Sequence, residues 1–460
     1  MRGGKSLLVL LVVALGLGAY IYFVEAKKDL TDPSTKKEKV FAIDQSKIDE
    51  IDVHAASGET TKLKKNGSLW QIVAPATLEA DQGEVSSLLT TLETLEIQRV
   101  LDEKPADLKP YELNPPRFSV AVRTTGENAA RQINVGSKTP TGADLYATIE
   151  GQPKLVLLSS YIEDSLNKTT FSFREKSVLK FSREGVDSLT LEPAGAPAVS
   201  LAKKGNDWRL VKPVDAKADF GSVDSVVSKV GQAKMKAIVA PDPAKPTAEI
   251  TPADLKKHGL DKPQAVATIG AGSTRATLAL GAAGEDKTLY ARDLSRPIVF
   301  TVEASLLEDL KKKPDDFRVK DVFEFRTFNG LGVDLTFGGQ TYTFEKQKAS
   351  SQPQSTTAEV WKQTKPAAKD VDQTKITDLL STISNLRADK FEDKAFASGE
   401  DLTVVTRHGE AATPATERVI LRKSGTTVQA VRAGEPGAAV VSTSDFDKAV
   451  ALLKELTGAK

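Results

Sequence analysis

The chain has no cysteine in 460 residues. That excludes disulfides, thiolate nucleophiles, iron–sulfur clusters and cysteine-based zinc sites, and it suits an exported protein that avoids unwanted oxidation. Histidine is nearly as scarce. His54, His258 and His408 are the only three, with no HxH or HExxH spacing, so neither a zinc site nor a Ser-His-Asp triad is indicated. Each reads as a surface or strand residue. Excess charge of one sign is also missing. The net charge is +1 and the basic residues are scattered among acidic ones, leaving no stripe to track a phosphate backbone and no expectation of a nucleic-acid partner. Phosphate loops are absent too. Gly270–Gly272 and Gly281–Gly284 lack the strand–turn–helix setting, and no GxxxxGK[ST] occurs.

Long apolar runs are missing except at the start. Residues 6–24 (SLLVLLVVALGLGAYIYFV) carry no charge, about the length a helix needs to cross a bilayer. Tyr20 and Tyr22 stand near its far end, where aromatic residues favour the interface. A cleaved signal peptide usually has an apolar core of about 7–15 residues and a small-residue cleavage site. This run is longer and its cleavage pattern is poor, so a retained anchor is the expectation. Residues 1–5 then form a cytoplasmic tip and residues 25–40 a polar linker broken by Pro33. Lysines flank both ends of the span, so the positive-inside rule points both ways. A short N-terminal anchor before a large soluble region favours a single-pass protein of the cell membrane. Its C-terminal region would face the extracytoplasmic, periplasmic side.

What is present is repetition. The three tryptophans, Trp70, Trp208 and Trp361, each precede a proline by five residues (Pro75, Pro213, Pro366) and an aspartate by eleven (Asp81, Asp219, Asp372). An apolar comb at helical spacing follows each aspartate: Val85, Leu88, Leu89, Leu92; Val223, Val226, Val227, Val230; Ile376, Leu379, Leu380, Ile383. Tyr146 and Tyr290 answer one another in Leu-Tyr-Ala triplets. A spacing of 138 residues between the first two tryptophans is far above the ~20–50 of solenoids, so these are tandem domains. The modules are expected at 41–181, 182–325 and, most divergent, 326–460. Two inserts, 240–252 and 348–359, read as surface loops, the second of them mobile.

Alternating runs such as IDEIDVHA, ETTKLKK, FSVAVRTT and DLYATIE predict strands of a half-solvated sheet. The fold class is therefore α+β: three tandem related modules, each a mostly antiparallel sheet with one long and one short helix, after one N-terminal transmembrane helix. The repeated aspartates each stand where a helix cap is wanted, so they read as caps before acids or metal ligands. A hydrolase built on them would need a second carboxylate or a metal in register, and none recurs. The tryptophans read as core residues of strands beside a helix. Tyr146 and Tyr290 read as partly exposed sheet residues.

Trp70–Pro75 and Trp208–Pro213 (W-x-I/L-V-x-P), then Ala-Asp, a Leu/Val-rich helix, and Y-E-L-N-P-P (111–116) or H-G-L-D-K-P (258–263) resemble an uncharacterised bacterial family. It is a domain of unknown function found in membrane-anchored envelope proteins, often encoded beside ABC-transporter permeases and gliding-type auxiliary subunits. The resemblance covers residues 41–325 well and 326–460 weakly, with Tyr111-Glu112 where Tyr-Gly is more usual. It implies a non-enzymatic extracytoplasmic partner of a transport complex, with no catalytic residues to carry over. The expected protein is thus a scaffold or adaptor binding the membrane and an envelope or transporter protein, with no cofactor, metal or small-molecule ligand. The alternative is a glycan- or peptidoglycan-binding module using one aromatic site per repeat.

Overall fold

Alternation of apolar and polar residues builds the first sheet in two runs of four strands. The first comprises β1 (Ile48–His54), β2 (Thr60–Asn66), β3 (Leu69–Ala74) and β4 (Leu78–Glu79). Helix α1 (Gln82–Thr94) and strand β5 (Arg99–Asp102) follow, and then the second run: β6 (Phe118–Thr124), β7 (Arg131–Lys138), β8 (Asp144–Ile149) and β9 (Leu155–Ser159). The order across the sheet is 4-3-2-1-6-7-8-9-5 and every pairing is antiparallel. Two meanders therefore join edge to edge through β1 and β6, with Ile51 opposite Val122 and Val53 opposite Val120. The α1 segment carries the chain from the β4 edge to the opposite edge, where β5 pairs with β9.

This computed structural model describes residues 37–127, 129–241, 248–348 and 359–459. The expected anchor at 6–24, the linker as far as residue 36, and residues 242–247 and 349–358 of the two inserts lie outside them. No helix among the described residues is long and apolar enough to cross a membrane. The nine-stranded order recurs in a second sheet between Val186 and Glu303 and a third between Gly330 and Val441. Even the irregularities recur. The seam between the meanders has a bulge at Ile48/Glu50, at Val186/Ser188 and at Gly330/Gly332. The chain is thus α+β and mostly β, with three antiparallel sheets of nine strands each.

Each sheet buries one face against its long helix. Alpha-helical combs supply the contact: α1 buries Val85, Leu88, Leu89 and Leu92, α2 (Phe220–Gln232) buries Val223, Val226, Val227 and Val230, and α3 (Gln373–Ser384) buries Ile376, Leu379, Leu380 and Ile383. Burying each such side chain is worth about 1.5–3 kcal/mol relative to exposure, so the comb outweighs the modest intrinsic propensity of the valine-rich α2. The one-long, one-short expectation is not met: the first module has two short helices (Glu163–Leu166, Thr170–Phe173) and the second also two (Pro252–Lys257, Leu306–Leu310). The third module departs further. Its last helix, α4 (Thr443–Thr457), is as long as the others because Phe446, Ala449, Leu453 and Leu456 continue an apolar stripe over its whole length.

The chain divides into two compact units, residues 1–176 and 177–460, so the second and third sheets share one unit. Within that unit the two sheets are joined by the segment Phe317–Phe325. Its residues pair backward, Asp219 N–H donating to the Phe317 carbonyl and Val319 N–H to Lys217, and forward, Val322 N–H donating to Leu386 and Ala388 N–H to Lys320. Four backbone hydrogen bonds within six residues, 317–322, make this connector a shared part of both sheets.

Candidate functional site

The repeated residues are where a repeated function would sit. Trp70, Trp208 and Trp361 are 7, 5 and 4% exposed. In the first and third sheets a glutamine at the first helical position clamps the tryptophan backbone. Gln82 accepts from Trp70 N–H at 2.8 Å and donates back to its carbonyl at 2.9 Å. Gln373 does the same to Trp361, at 2.9 and 2.8 Å. The second sheet has Phe220 at this position, 63% exposed, and Ala218 N–H takes over the Trp208 carbonyl at 3.0 Å. The proline that follows each tryptophan is cis in all three copies.

The three aspartates cap their helices. Asp81 accepts from Gly83 and Glu84 N–H, Asp219 from Ser222 N–H and hydroxyl, and Asp372 from Thr374 and Lys375 N–H, all between 2.7 and 3.2 Å. A carboxylate there meets the free N–H groups of the first turn and the positive end of the helix dipole.

Tyr146 and Tyr290 belong to a second repeated arrangement, absent from the third copy. The segment 111–116 docks on β7 where Gly136 leaves room; a Cβ there would lie 1.9 Å from the Tyr111 carbonyl oxygen. Gly281 plays this part for His258, at 2.3 Å. Docking sets the Tyr111 ring 4.8 Å from that of Tyr146, and the His258 ring 4.2 Å from that of Tyr290. His258 is therefore neither a surface nor a strand residue. It follows the short helix Pro252–Lys257 and is 4% exposed. Burial lowers its pKa below the ordinary imidazole value, with Lys257 adding to the effect and Asp254 opposing it. His408 is buried as well, 5% exposed at the end of Glu400–His408, while His54 remains exposed. Aromatic stacking at a turn has no period in the sequence. The alignment of Tyr111 with His258 in Y-E-L-N-P-P and H-G-L-D-K-P is legible, but it does not show that either ring stacks on a tyrosine.

Beside the tyrosine pair, Glu163 meets Arg117 at 2.5 Å and Lys138 at 3.0 Å. Burial works against its ionised form, but the hydrogen bonds from Lys138 and Arg117 outweigh it and the pKa falls below the usual carboxylate value. The counterpart of Arg117 is Gln264, each side chain donating to the carbonyl of the notch glycine. Ion pairing is thus particular to the first copy, whereas the docked loop is common to two. A groove lined by Lys236, Tyr290, Thr301, Glu303 and Glu308 lies beside the second pair. Its Lys236 and Glu303 neutralise one another at 2.6 Å.

Charge concentrates where the connector meets the second and third sheets. Glu417, its side chain 8% exposed, accepts from the Glu324 and Phe325 N–H groups at 2.9 and 3.0 Å. Arg432 bridges Glu417 and Glu324, and Lys217 also pairs with Glu324. Glu435 accepts from Lys217 N–H at 3.0 Å. Arg318, 9% exposed, holds its guanidinium 3.7 Å from the Phe391 ring centroid and donates to the Pro436 carbonyl. Such an arrangement positions two sheets; its acids are engaged by cations and backbone donors. No group of three or more His, Asp or Glu among the described residues could hold a metal ion.

Fold and site together define a tandem-sheet protein whose repeated residues maintain its framework. The chain belongs to the family described as Domain of unknown function (DUF4340), whose model matches residues 70–209 and again 208–403. Both matches begin at a repeat tryptophan. Each runs from the third strand of one sheet into the next sheet, so the sequence unit is offset from the sheet it helps to build. No curated protein and no solved structure matches the chain.

Proposed function

We propose that the chain is a non-catalytic, single-pass membrane-anchored scaffold or adaptor of the bacterial envelope, accessory to an ABC-type transport complex. Its sheets stand on the extracytoplasmic side, held by the apolar segment at residues 6–24. The observation that carries this reading is the use made of the repeated residues. Tryptophan, proline, aspartate and the helical comb all serve the framework, and the connector fixes two sheets in one unit. Rigid spacing of surfaces is what an adaptor requires, and it needs no reacting group. A glycan platform built on the tryptophans would need open indole rings, and these are buried.

Cross-linking in intact membranes followed by affinity recovery of the chain tests the proposal. An envelope or transporter protein should be recovered in stoichiometric amounts, and the sheets should yield to protease only from the extracytoplasmic side. Recovery of the chain alone would contradict the adaptor.

A further inference from the structure

The edge beside each cap aspartate is covered twice and, among the described residues, open once. In the first unit Asp81 N–H donates to the Phe173 carbonyl at 2.8 Å and Glu175 N–H to Glu79 at 3.0 Å. In the second, Asp219 N–H donates to Phe317 at 2.7 Å and Val319 N–H to Lys217 at 3.2 Å. Both covering segments have the same sequence form, Phe-Arg-x-Lys: Phe173–Lys176 and Phe317–Lys320. Each makes a bridge at its arginine, Arg174 to Ala80 and Arg318 to Ala218.

The equivalent positions of the third sheet are Asp370, Val371 and Asp372. Strand Lys369–Asp370 pairs on its inner side with Glu359–Lys365. Among the described residues no backbone hydrogen bond reaches the Asp372 N–H, and no strand pairs with the outer side of Asp370. The Asp370 side chain is 87% exposed, and Asp372 is exposed too. Helix α4 closes the core nearby, with Lys369 donating to the Leu456 carbonyl, but it adds no strand. A strand edge with free N–H and C=O groups is a template for another strand.

We propose that this outer edge, Asp370 through Asp372, takes an extended strand of a partner protein carrying the Arg-x-Lys pattern. The inference rests on the adaptor reading and gives it an attachment point. Continuity with the two covered edges identifies the chemistry: main-chain pairing supplies the attraction, and basic residues at alternate positions match the extended segments already seated in this fold. Both Phe-Arg-x-Lys segments of the chain are engaged at their own edges, so a second copy has no spare strand of this form to offer.

The test uses the full-length chain in detergent with a synthetic peptide of sequence FRVKDVFEF. A control peptide has proline in place of the first valine, which removes the N–H that Val319 donates in the connector. Amide exchange is followed at residues 369–372 by mass spectrometry. The native peptide should slow exchange there at least tenfold and the proline peptide should leave it unchanged. Equal effects from both peptides, or none from either, overturn the proposal. Exchange that slows with chain concentration and without peptide assigns the edge to a second copy and overturns it as well. Recovery of an envelope partner by cross-linking, with no protection by either peptide, would leave the adaptor reading standing without this edge.

Discussion

Glu112 and Gly259 occupy one position in two copies of the docked loop, and their backbones agree: φ is 53° at Glu112 and 66° at Gly259. The left-handed region costs a residue with a Cβ roughly 1–2 kcal/mol. Glycine enters it freely but loses about 0.5–1 kcal/mol more chain entropy on folding. The Glu112 side chain is exposed and takes part in no ion pair among the described residues, so its replacement sacrifices little else. Glu112→Gly should therefore stabilise the first sheet by about 0.5–1 kcal/mol. The reverse change is worse than a simple exchange of signs. A Cβ on Gly259 would stand 2.9 Å from the Ala282 nitrogen and 3.0 Å from its Cβ. Backbone strain and overpacking together put Gly259→Ala at about 2–3 kcal/mol of destabilisation. A chain of several sheets need not unfold in one step, so the readout should be local. Amide exchange under native conditions, compared at Phe118–Thr124 and Ala265–Ala271, gives the opening free energy of each sheet separately. Destabilisation by Glu112→Gly, or no effect of Gly259→Ala, would refute the reasoning.

Three further outcomes follow from the framework. Asp219→Ala should lower the stability of the second sheet by about 1 kcal/mol through loss of the helix cap, measurable by the same exchange experiment, with partner recovery unchanged. Gln82→Ala should cost about 1–3 kcal/mol by leaving the Trp70 N–H and carbonyl without their partner, seen as faster exchange at Trp70 and a red-shifted indole emission. Lys217, and then Arg432, hold the Glu324 carboxyl below its ordinary value. Its contribution to stability is therefore complete above the unfolded glutamate pKa of about 4.3 and lost as pH falls through the lower folded value. In acid titrations of unfolding, Glu324→Gln should flatten that part of the stability profile.

Much of this architecture is legible in the sequence because it is periodic. Val85, Leu88, Leu89 and Leu92 recur at helical spacing and face a sheet, and alternation in IDEIDVHA or DLYATIE marks strands with one buried side. The aspartates announce their caps because a helix end leaves N–H groups unpaired at a fixed place. Strand order is another matter. The β1–β6 seam joins residues such as Val53 and Val120, far apart in the chain, and no local pattern encodes that pairing. The glutamine clamp escapes notice because Phe220 interrupts it in the middle copy, and the loop notch because the approach of the Tyr111 and His258 carbonyls to Gly136 and Gly281 leaves no period in the sequence. FRVKDVFEF carries no local mark of its place between two sheets. Its role as a connector depends on backbone partners on two sides, which only the folded chain brings together.

The rigid joining of the second and third sheets is the claim on which the adaptor reading depends, and amide exchange across Phe317–Phe325 tests it most directly. The Val319 and Val322 amides should exchange as slowly as those of the strands flanking them, in one cooperative opening with the paired Asp219 and Ala388 amides. Exchange at the rate of an open linker, with both sheets still protected, would contradict it.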